Sequence, residues 1–552
     1  MLKKTIPAMD WIQNYNKQDL KGDVSAGLIV AIMLIPQAMA YAMIAGLPPV
    51  IGLYASTIPL FIYAIMGSSK QLAVGPVAMV SLLVLSGVSA LAEPGTEEYL
   101  SYVFLLMFMI GIIQFSMGLF KLGFIVNFLS HAVVSGFTSA AALIIGLSQL
   151  KNLLGINLDT GETIFHTLFE AAQRISEINV ITFLIGIGSI LTLLFFKKKL
   201  PRFPAPLVVV LVSTLLVYFL KLYDQGVKIV GEVPKGIPSF SLPAFNMDSI
   251  VALLPIALTI SFVGFMESIA VAKAIAAKEK YKINSNQELN GLGLANIVGS
   301  FFSAYPVTGG FSRSAVNYQA GARTGLASII TAVLIIVTLL FFTPLFYYLP
   351  NAVLAAIIMV AVFGLIDIKE AKHLFKVKKM DGLTLIITFI FTLMLGIEEG
   401  ILIGAAFSLL VFIWRSAYPH IAELGYIEKT EVFRNIKRYP EAKTFKNTLI
   451  FRIDASIYFA NVGFIEKKIS DEMSKKTNIT RIILDFSAVN DIDAVSIDEL
   501  EKIMDNYQSA GIQFLIVGMK GPIKDLIQKA GWYEKYGQNI KHPSLQHVLQ
   551  IG

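Results

Sequence analysis

From about residue 24 to residue 417 the chain is a succession of apolar runs separated by short charged loops, which leaves little choice of fold. A helix needs roughly 20 apolar residues to cross the hydrocarbon of a bilayer. Runs of that kind fall near 24–45, 50–66, 71–90, 100–120, 125–150, 178–196 and 204–222. A second series falls near 248–272, 286–304, 306–320, 326–348, 351–366, 382–396 and 399–417. Together they make about fourteen spans of a polytopic α-helical membrane protein, several too short to cross as single straight helices. Composition agrees, because only 15% of residues are charged and mean hydropathy is +0.68, whereas soluble domains carry about a quarter charged residues.

Charge sorts the loops by side. With the N-terminus inside, Lys197, Lys198, Lys199 and Arg202 face the cytoplasm, as do Lys273, Lys278, Lys280 and Lys282. The cluster Lys369, Lys372, Lys376, Lys378 and Lys379 falls on the same side, while Glu93, Glu97, Glu98, Glu398 and Glu399 fall outside. This is the positive-inside pattern, and it explains the net charge of +7 without a nucleic-acid partner. Both termini are expected in the cytoplasm, and residues 1–22 read as an amphipathic segment leading into the first span. The chain has no cysteine, which excludes disulfides, thiolate metal sites and cysteine nucleophiles. No cofactor or metal is expected, and no motif points to an enzyme.

Weak symmetry relates the two series. FLSHAV at 128–133 resembles YLPNAV at 348–353, PQAMAYA at 36–42 aligns with MESIAVA at 266–272, and Gly75-Pro76 aligns with Gly309-Gly310. An offset of seven spans inverts one half relative to the other, giving a 7+7 inverted repeat over about 23–222 and 248–418. Interrupted spans at matching positions of inverted repeats mark transporter binding sites.

Past residue 440 the pattern changes. TLIFRIDASIYF, RIILDFS and QFLIVG read as strands, alternating with helical stretches such as VSIDELEKIMDNYQSAG. A small cytoplasmic α/β domain over 441–552 is expected, with 419–440 as a charged linker.

The chemistry concentrates in YPVTGGFSRSAVNYQAG, 305–321, and KQLAVGPVAMVSLL, 70–83. Each allows extended backbone followed by a helix start. Non-helical backbone at this depth must be buried in protein or line a cavity. Two helices starting there direct free N–H groups and roughly +0.5 charge each toward one point, an anion site. Ser312 adds a hydroxyl, and Arg313 a cation whose planar fork suits oxyanions. An arginine in a span also snorkels or pairs with a carboxylate, and Glu267, the acidic residue of FVGFMESIAVAKA, is the candidate for that pair. A carboxylate at this depth also suits a proton carrier. Gln37 and Tyr41, from the first span, either contact the ligand or pack. A divalent anion would be balanced by two helix ends and Arg313, with Glu267 protonated on loading and paired to Arg313 otherwise.

These residues identify a resemblance to the sulfate permease (SulP, solute carrier 26) family over nearly the whole chain. The runs that carry it are IPQAMAYAMIAGLPPVIGLYAS, GSSKQLAVGPVAMVSLL and ESIAVAKAIAAKEKYKINSNQELNGLGLANIVGSFFSAYPVTGGFSRSAVNYQAGA. They look most like the sulfate-transporting branch, and the C-terminal region looks like the family's STAS domain. The resemblance implies a core domain moving against a gate domain in elevator fashion, in a homodimer at the plasma membrane. It implies an anion site at Gly75, Val77, Ala78, Gly310, Phe311, Ser312 and Arg313, with contributions from Gln37 and Tyr41 and proton coupling at Glu267. Val271 stands where sodium-coupled relatives carry threonine. Asp493-Ala-Val-Ser496 departs from the phosphorylatable Asp-Ser-Ser-Gly loop of related anti-sigma-factor antagonists, so that switch is not expected, and any cytoplasmic partner of STAS stays open.

The function expected is proton-coupled import of sulfate or a similar oxyanion. Bicarbonate, C4-dicarboxylate or exchanged halide are the alternatives within the fold. An uncoupled channel and a STAS-output sensor are the alternatives of another class.

Overall fold

The structure, a computed structural model, describes residues 6–124, 130–158, 164–199, 205–364, 366–476 and 478–549. Arg202 and the first two residues of FLSHAV lie outside the described residues. The chain divides into two units, Met1–Ser408 and Leu409–Gly552.

The first unit is helical. In chain order it contains α1 (Lys17–Ile44), α2 (Pro49–Ala55), α3 (Ile58–Met66), β1 (Val74–Gly75), α4 (Ala78–Ser89), α5 (Glu97–Leu119), α6 (His131–Ser148), α7 (Val180–Lys199) and α8 (Ala205–Phe219). Then come α9 (Met247–Lys278), α10 (Ser285–Ser300), β2 (Thr308–Gly309), α11 (Phe311–Gln319), α12 (Leu326–Val337), α13 (Asn351–Phe363), α14 (Lys379–Leu395) and α15 (Ile397–Ala417), the last running into the second unit. Asparagine or hydroxyl side chains at Asn16, Thr96, Ser130, Asn246 and Asn284 accept from the first free amides of α1, α5, α6, α9 and α10, which fixes where those helices begin. Among the described residues, nine helical stretches are long and apolar enough to cross a membrane. The remaining expected spans fall on shorter pieces: α4, α8, α10, α14 and the strand-plus-helix pair β2–α11.

Packing sorts these helices into two groups. In one, α10 lies between α5 and α3, α1 carries α2, α11 and α12, and α9 contacts α4, α5, β2 and α11. In the other, α6 packs on α13 and α14, and α7 packs on α8 and α13. The groups meet where α1 touches α8 and α13 and where α4 touches α6. Within the first group, close approach depends on missing side chains. A Cβ on Gly293 of α10 would lie 2.5 Å from the Phe115 backbone nitrogen of α5. Small residues of this kind let spans pack through backbone contact where lipid supplies no hydrophobic drive.

In the second unit a five-stranded sheet has the order β4-β3-β5-β6-β7: β3 is Ile421–Ile427, β4 Val432–Asn435, β5 Thr448–Ile453, β6 Arg481–Asp485 and β7 Gln513–Val517. β5, β6 and β7 are parallel, and β3 runs antiparallel to both β4 and β5. Residues 419–440, expected as a linker, thus hold two strands of the sheet. Their short, charged sequence hides them, because an edge hairpin needs few apolar residues. Strand alternation places Leu449, Phe451 and Ile453 in one core with Ile465 and Ile469 of α16 (Val462–Met473) and Leu500 and Ile503 of α17 (Ala494–Ser509). Ile450 and Ile483 face a smaller core on the other side. Ser496 lies in the first turn of α17, its backbone N–H on the Asp493 cap (2.7 Å) and its hydroxyl buried without a partner.

Candidate functional site

The two interrupted spans meet at β1 and β2. These two-residue strands pair antiparallel, Val74 opposite Gly309 and Gly75 opposite Thr308, and each leads into a helix start, α4 after Val77 and α11 after Gly310. Sequence reading expects the two breaks but not their pairing, since a two-residue strand carries no periodicity.

Side chains from neighbouring helices supply the hydrogen bonds that a continuous helix would have made internally. The amide of Asn296 on α10 accepts from the Val307 N–H (2.9 Å) and donates to the Val307 carbonyl (3.1 Å), acting as one more strand partner. Ser268 on α9 accepts from the Gly309 N–H (2.8 Å) and shares a 2.6 Å hydrogen bond with the Thr308 hydroxyl. On the β1 side, Ser314 accepts from the Ala73 N–H (2.9 Å) and Asn317 donates to the Gln71 carbonyl (3.0 Å). Buried backbone polar groups are costly without partners, so this scaffold lets the breaks exist inside the protein. Asn296, Ser268, Ser314 and Asn317 carry no charge or motif that would single them out in the sequence.

The helix starts border a cavity of about 60 Å³. A single water needs about 10–15 Å³ by this measure, so the space suits a small polyatomic ion. From α1 it is lined by Gln37 and Tyr41, from the break before α4 by Val77, Ala78 and Met79, and from α9 by Glu267. Gly310, Phe311, Ser312 and Arg313 line it from the break before α11, and Ala361 and Val362 from α13 in the other helix group. Gly75 stands one step behind, against the Arg313 guanidinium. Met79, Ala361 and Val362 are additions that uncharged apolar sequence does not reveal.

Arg313 is only 1% exposed. Its Nη1 donates to the Pro76 carbonyl across the two breaks, while Nε and Nη2 are buried with no partner. Glu267 Oε2 and Gln37 Oε1 are likewise buried and unpartnered. No ion pair joins Glu267 to Arg313 here, in contrast to the pair expected from the sequence; the one hydrogen bond of the guanidinium goes to the Pro76 carbonyl. Neither α4 nor α11 has a side-chain cap, so their first amides remain available at the cavity. Phe311, at 59% exposed, and the exposed Ser312 stand at its mouth.

The sulfate permease family model matches residues 20–388, and the STAS domain model matches residues 439–542. The chain is 42% identical to the Arabidopsis thaliana protein named sulfate transporter 4.1, chloroplastic, over 99% of this chain and 82% of that one. It is 40% identical to Arabidopsis sulfate transporter 1.2, over 95% and 83%. The solved structure of the murine Solute Carrier 26 family member A9 anion transporter, in its inward-facing state, superposes with a TM-score of 0.92 at 26% identity, covering 100% of this chain and 94% of that one. The transmembrane domain of a cyanobacterium bicarbonate transporter, BicA, gives 0.63 at 25% identity, covering 70% and 98%. Two helix starts facing an arginine in a membrane-buried cavity, a C-terminal α/β unit and these matches together place the chain in the sulfate permease family of multi-pass membrane transporters.

Proposed function

We propose that the chain is a secondary active transporter that moves sulfate or a similar oxyanion, coupled to protons through Glu267. The observation that carries this reading is the pair of buried, unpartnered donors on Arg313, Nε and Nη2, at the cavity between two uncapped helix starts. Those two N–H groups form one edge of the guanidinium, the geometry that takes two oxygens of one anion together. A dianion meets roughly +1 from the helix ends and +1 from Arg313. Glu267, with an unpartnered oxygen on the same cavity, unbalances that sum when ionised and restores it when protonated. The curated relatives named as sulfate transporters support the substrate class.

Site residues from both helix groups support an elevator movement, in which the group holding the breaks slides past α13 and carries the cavity across. Fourteen spans in a 7+7 inverted repeat with both termini cytoplasmic, supported by the loop charges and the aligned breaks, complete the reading, and a homodimer at the plasma membrane is the assembly proposed with it.

The test is uptake of radiolabelled sulfate into proteoliposomes with and without an inward proton gradient, competed by bicarbonate, succinate and molybdate. Sulfate uptake should rise with the gradient, and Glu267→Gln should abolish that rise while sulfate exchange persists. Competition by succinate or bicarbonate alone would overturn the substrate, and gradient-driven uptake surviving in Glu267→Gln would overturn the coupling.

A further inference from the structure

Between α8 and α9 the chain runs without helix from Val227 to Asn246, reading VKIVGEVPKGIPSFSLPAFN. A connector outside a membrane is ordinarily polar, yet Ile237, Phe240, Leu242, Phe245 and the following Met247 stand 57–74% exposed. The strap is not loose. Its Val230, Gly231 and Gly236 N–H groups donate to the carbonyls of Leu349, Tyr347 and Leu339, at 2.9, 3.0 and 3.1 Å. Farther along, the Ser241 N–H donates to Phe301 (2.8 Å), and Phe240 stacks on the Phe301 ring at 5.8 Å. Phe240 therefore has one face on protein while most of the ring stays exposed, and Phe245 meets Phe108 edge-on and is likewise more than half exposed.

Two observations say what covers the open face. The strap is tied at Gly236 to the Leu339 carbonyl, within the apolar stretch Leu326–Phe346 that is long enough to cross a membrane and that exposes Phe341, Phe342 and Leu345 next to it. At the same end, Tyr218, Tyr223 and Tyr347 gather around Tyr348 with ring centroids 4.8–5.4 Å apart, and tyrosines concentrate at the level of lipid headgroups. Lipid-exposed non-helical backbone cannot lie in the hydrocarbon core, where unpaired N–H groups are too costly. Here Pro234, Pro238 and Pro243 have no N–H, and the bonds above satisfy four others. Such a strap is built for the boundary between headgroups and acyl chains. We infer that residues 237–247 are an interfacial lipid anchor, their apolar side chains inserted into the leaflet on that side. The inference rests on membrane embedding alone, and the identity of the transported ion does not enter it.

The cysteine-free sequence makes the test direct. Single cysteines at Ile237 and Leu242 of the full chain in liposomes would carry nitroxide labels, with Leu254 of α9 as the lipid reference and Lys429 as the aqueous one. Collision with oxygen should exceed collision with a water-soluble nickel complex several-fold more at 237 and 242 than at 429, approaching the ratio at 254. Nickel access equal to that at 429 places the strap in water, and exclusion of both reagents means protein, such as a second copy, covers it. Either result overturns the anchor.

Discussion

Arg313 uses one N–H group of its guanidinium to hold the two breaks together and leaves the opposite edge open to the cavity. Room for that edge comes from two glycines. Gly75 sits at φ +149, and a Cβ there would lie 3.3 Å from Nη2; a Cβ on Gly310 would lie 3.0 Å from Nη2 and 3.1 Å from Cζ. Gly310→Ala keeps an ordinary backbone conformation and should weaken anion binding about tenfold, on the order of 1.4 kcal/mol, by pushing the guanidinium off its position. Arg313→Lys keeps the charge but loses the fork. It should weaken an oxyanion by tenfold or more, given about 1.5–3 kcal/mol for each hydrogen bond to a charged group, and a halide much less. Competition binding of sulfate and chloride to the purified variants checks both. Equal losses for the two ions would mean that charge alone, and not the fork, recognises the substrate.

At the scale of elements, the sheet of the second unit shows how a charged segment is recruited into a fold. Strand β3 pairs with β5, and just before it His420 Nδ1 lies 2.8 Å from the Asp454 carboxylate, which also receives Arg452 Nε at 2.5 Å. Burial alone would raise the Asp454 pKa, but the bonds from Arg452 and His420 outweigh it and hold the carboxyl below its usual value. A depressed carboxyl stabilises the fold above its unfolded pKa, about 3.9, and the contribution fades as pH falls through the folded value. Asp454→Asn should therefore cost about 1 kcal/mol at neutral pH, a charge-assisted bond discounted for partial solvent screening. Hydrogen exchange of β3 and β5 in the full chain should show that loss at pH 7, nearly unchanged down to about pH 5, and a difference that shrinks from about pH 4 to pH 3. A constant difference across that range would place the effect in packing rather than charge.

At the scale of the whole molecule, transport by the proposed elevator requires the two helix groups to change their contact at the cavity. Phe311 on one group and Ala361 on the other line that cavity together, and the absence of native cysteine allows both to be replaced by Cys without background. A short bifunctional thiol reagent that is cleaved by reductant should halt uptake in the double variant, and reduction should restore it. Each treated single variant measures the loss caused by labelling alone, and the double variant should fall well below both. Uptake undiminished by a completed cross-link would rule out sliding of one group past the other. The span count and the inverted repeat belong to this scale as well, and a map of loop accessibility from each side of the membrane would test both.

Apolar run length, loop charge and the two glycine-bearing interruptions are local properties, so a membrane protein with broken spans and an arginine in one of them was legible from residue order alone. The sequence also pointed to Gln37, Tyr41, Val77, Ala78, Glu267, Gly310, Phe311, Ser312 and Arg313, which the fold brings to one cavity although up to 276 positions separate them. What only the tertiary structure decided is who partners whom. The Pro76 carbonyl, and not Glu267, holds Arg313; uncharged Asn296, Ser268, Ser314 and Asn317 satisfy the broken backbone; and Ala361 and Val362 close the cavity from the other group. Hydrogen-bond geometry and contact between distant helices depend on how the chain returns to itself, and neither residue type nor periodicity encodes that one position at a time.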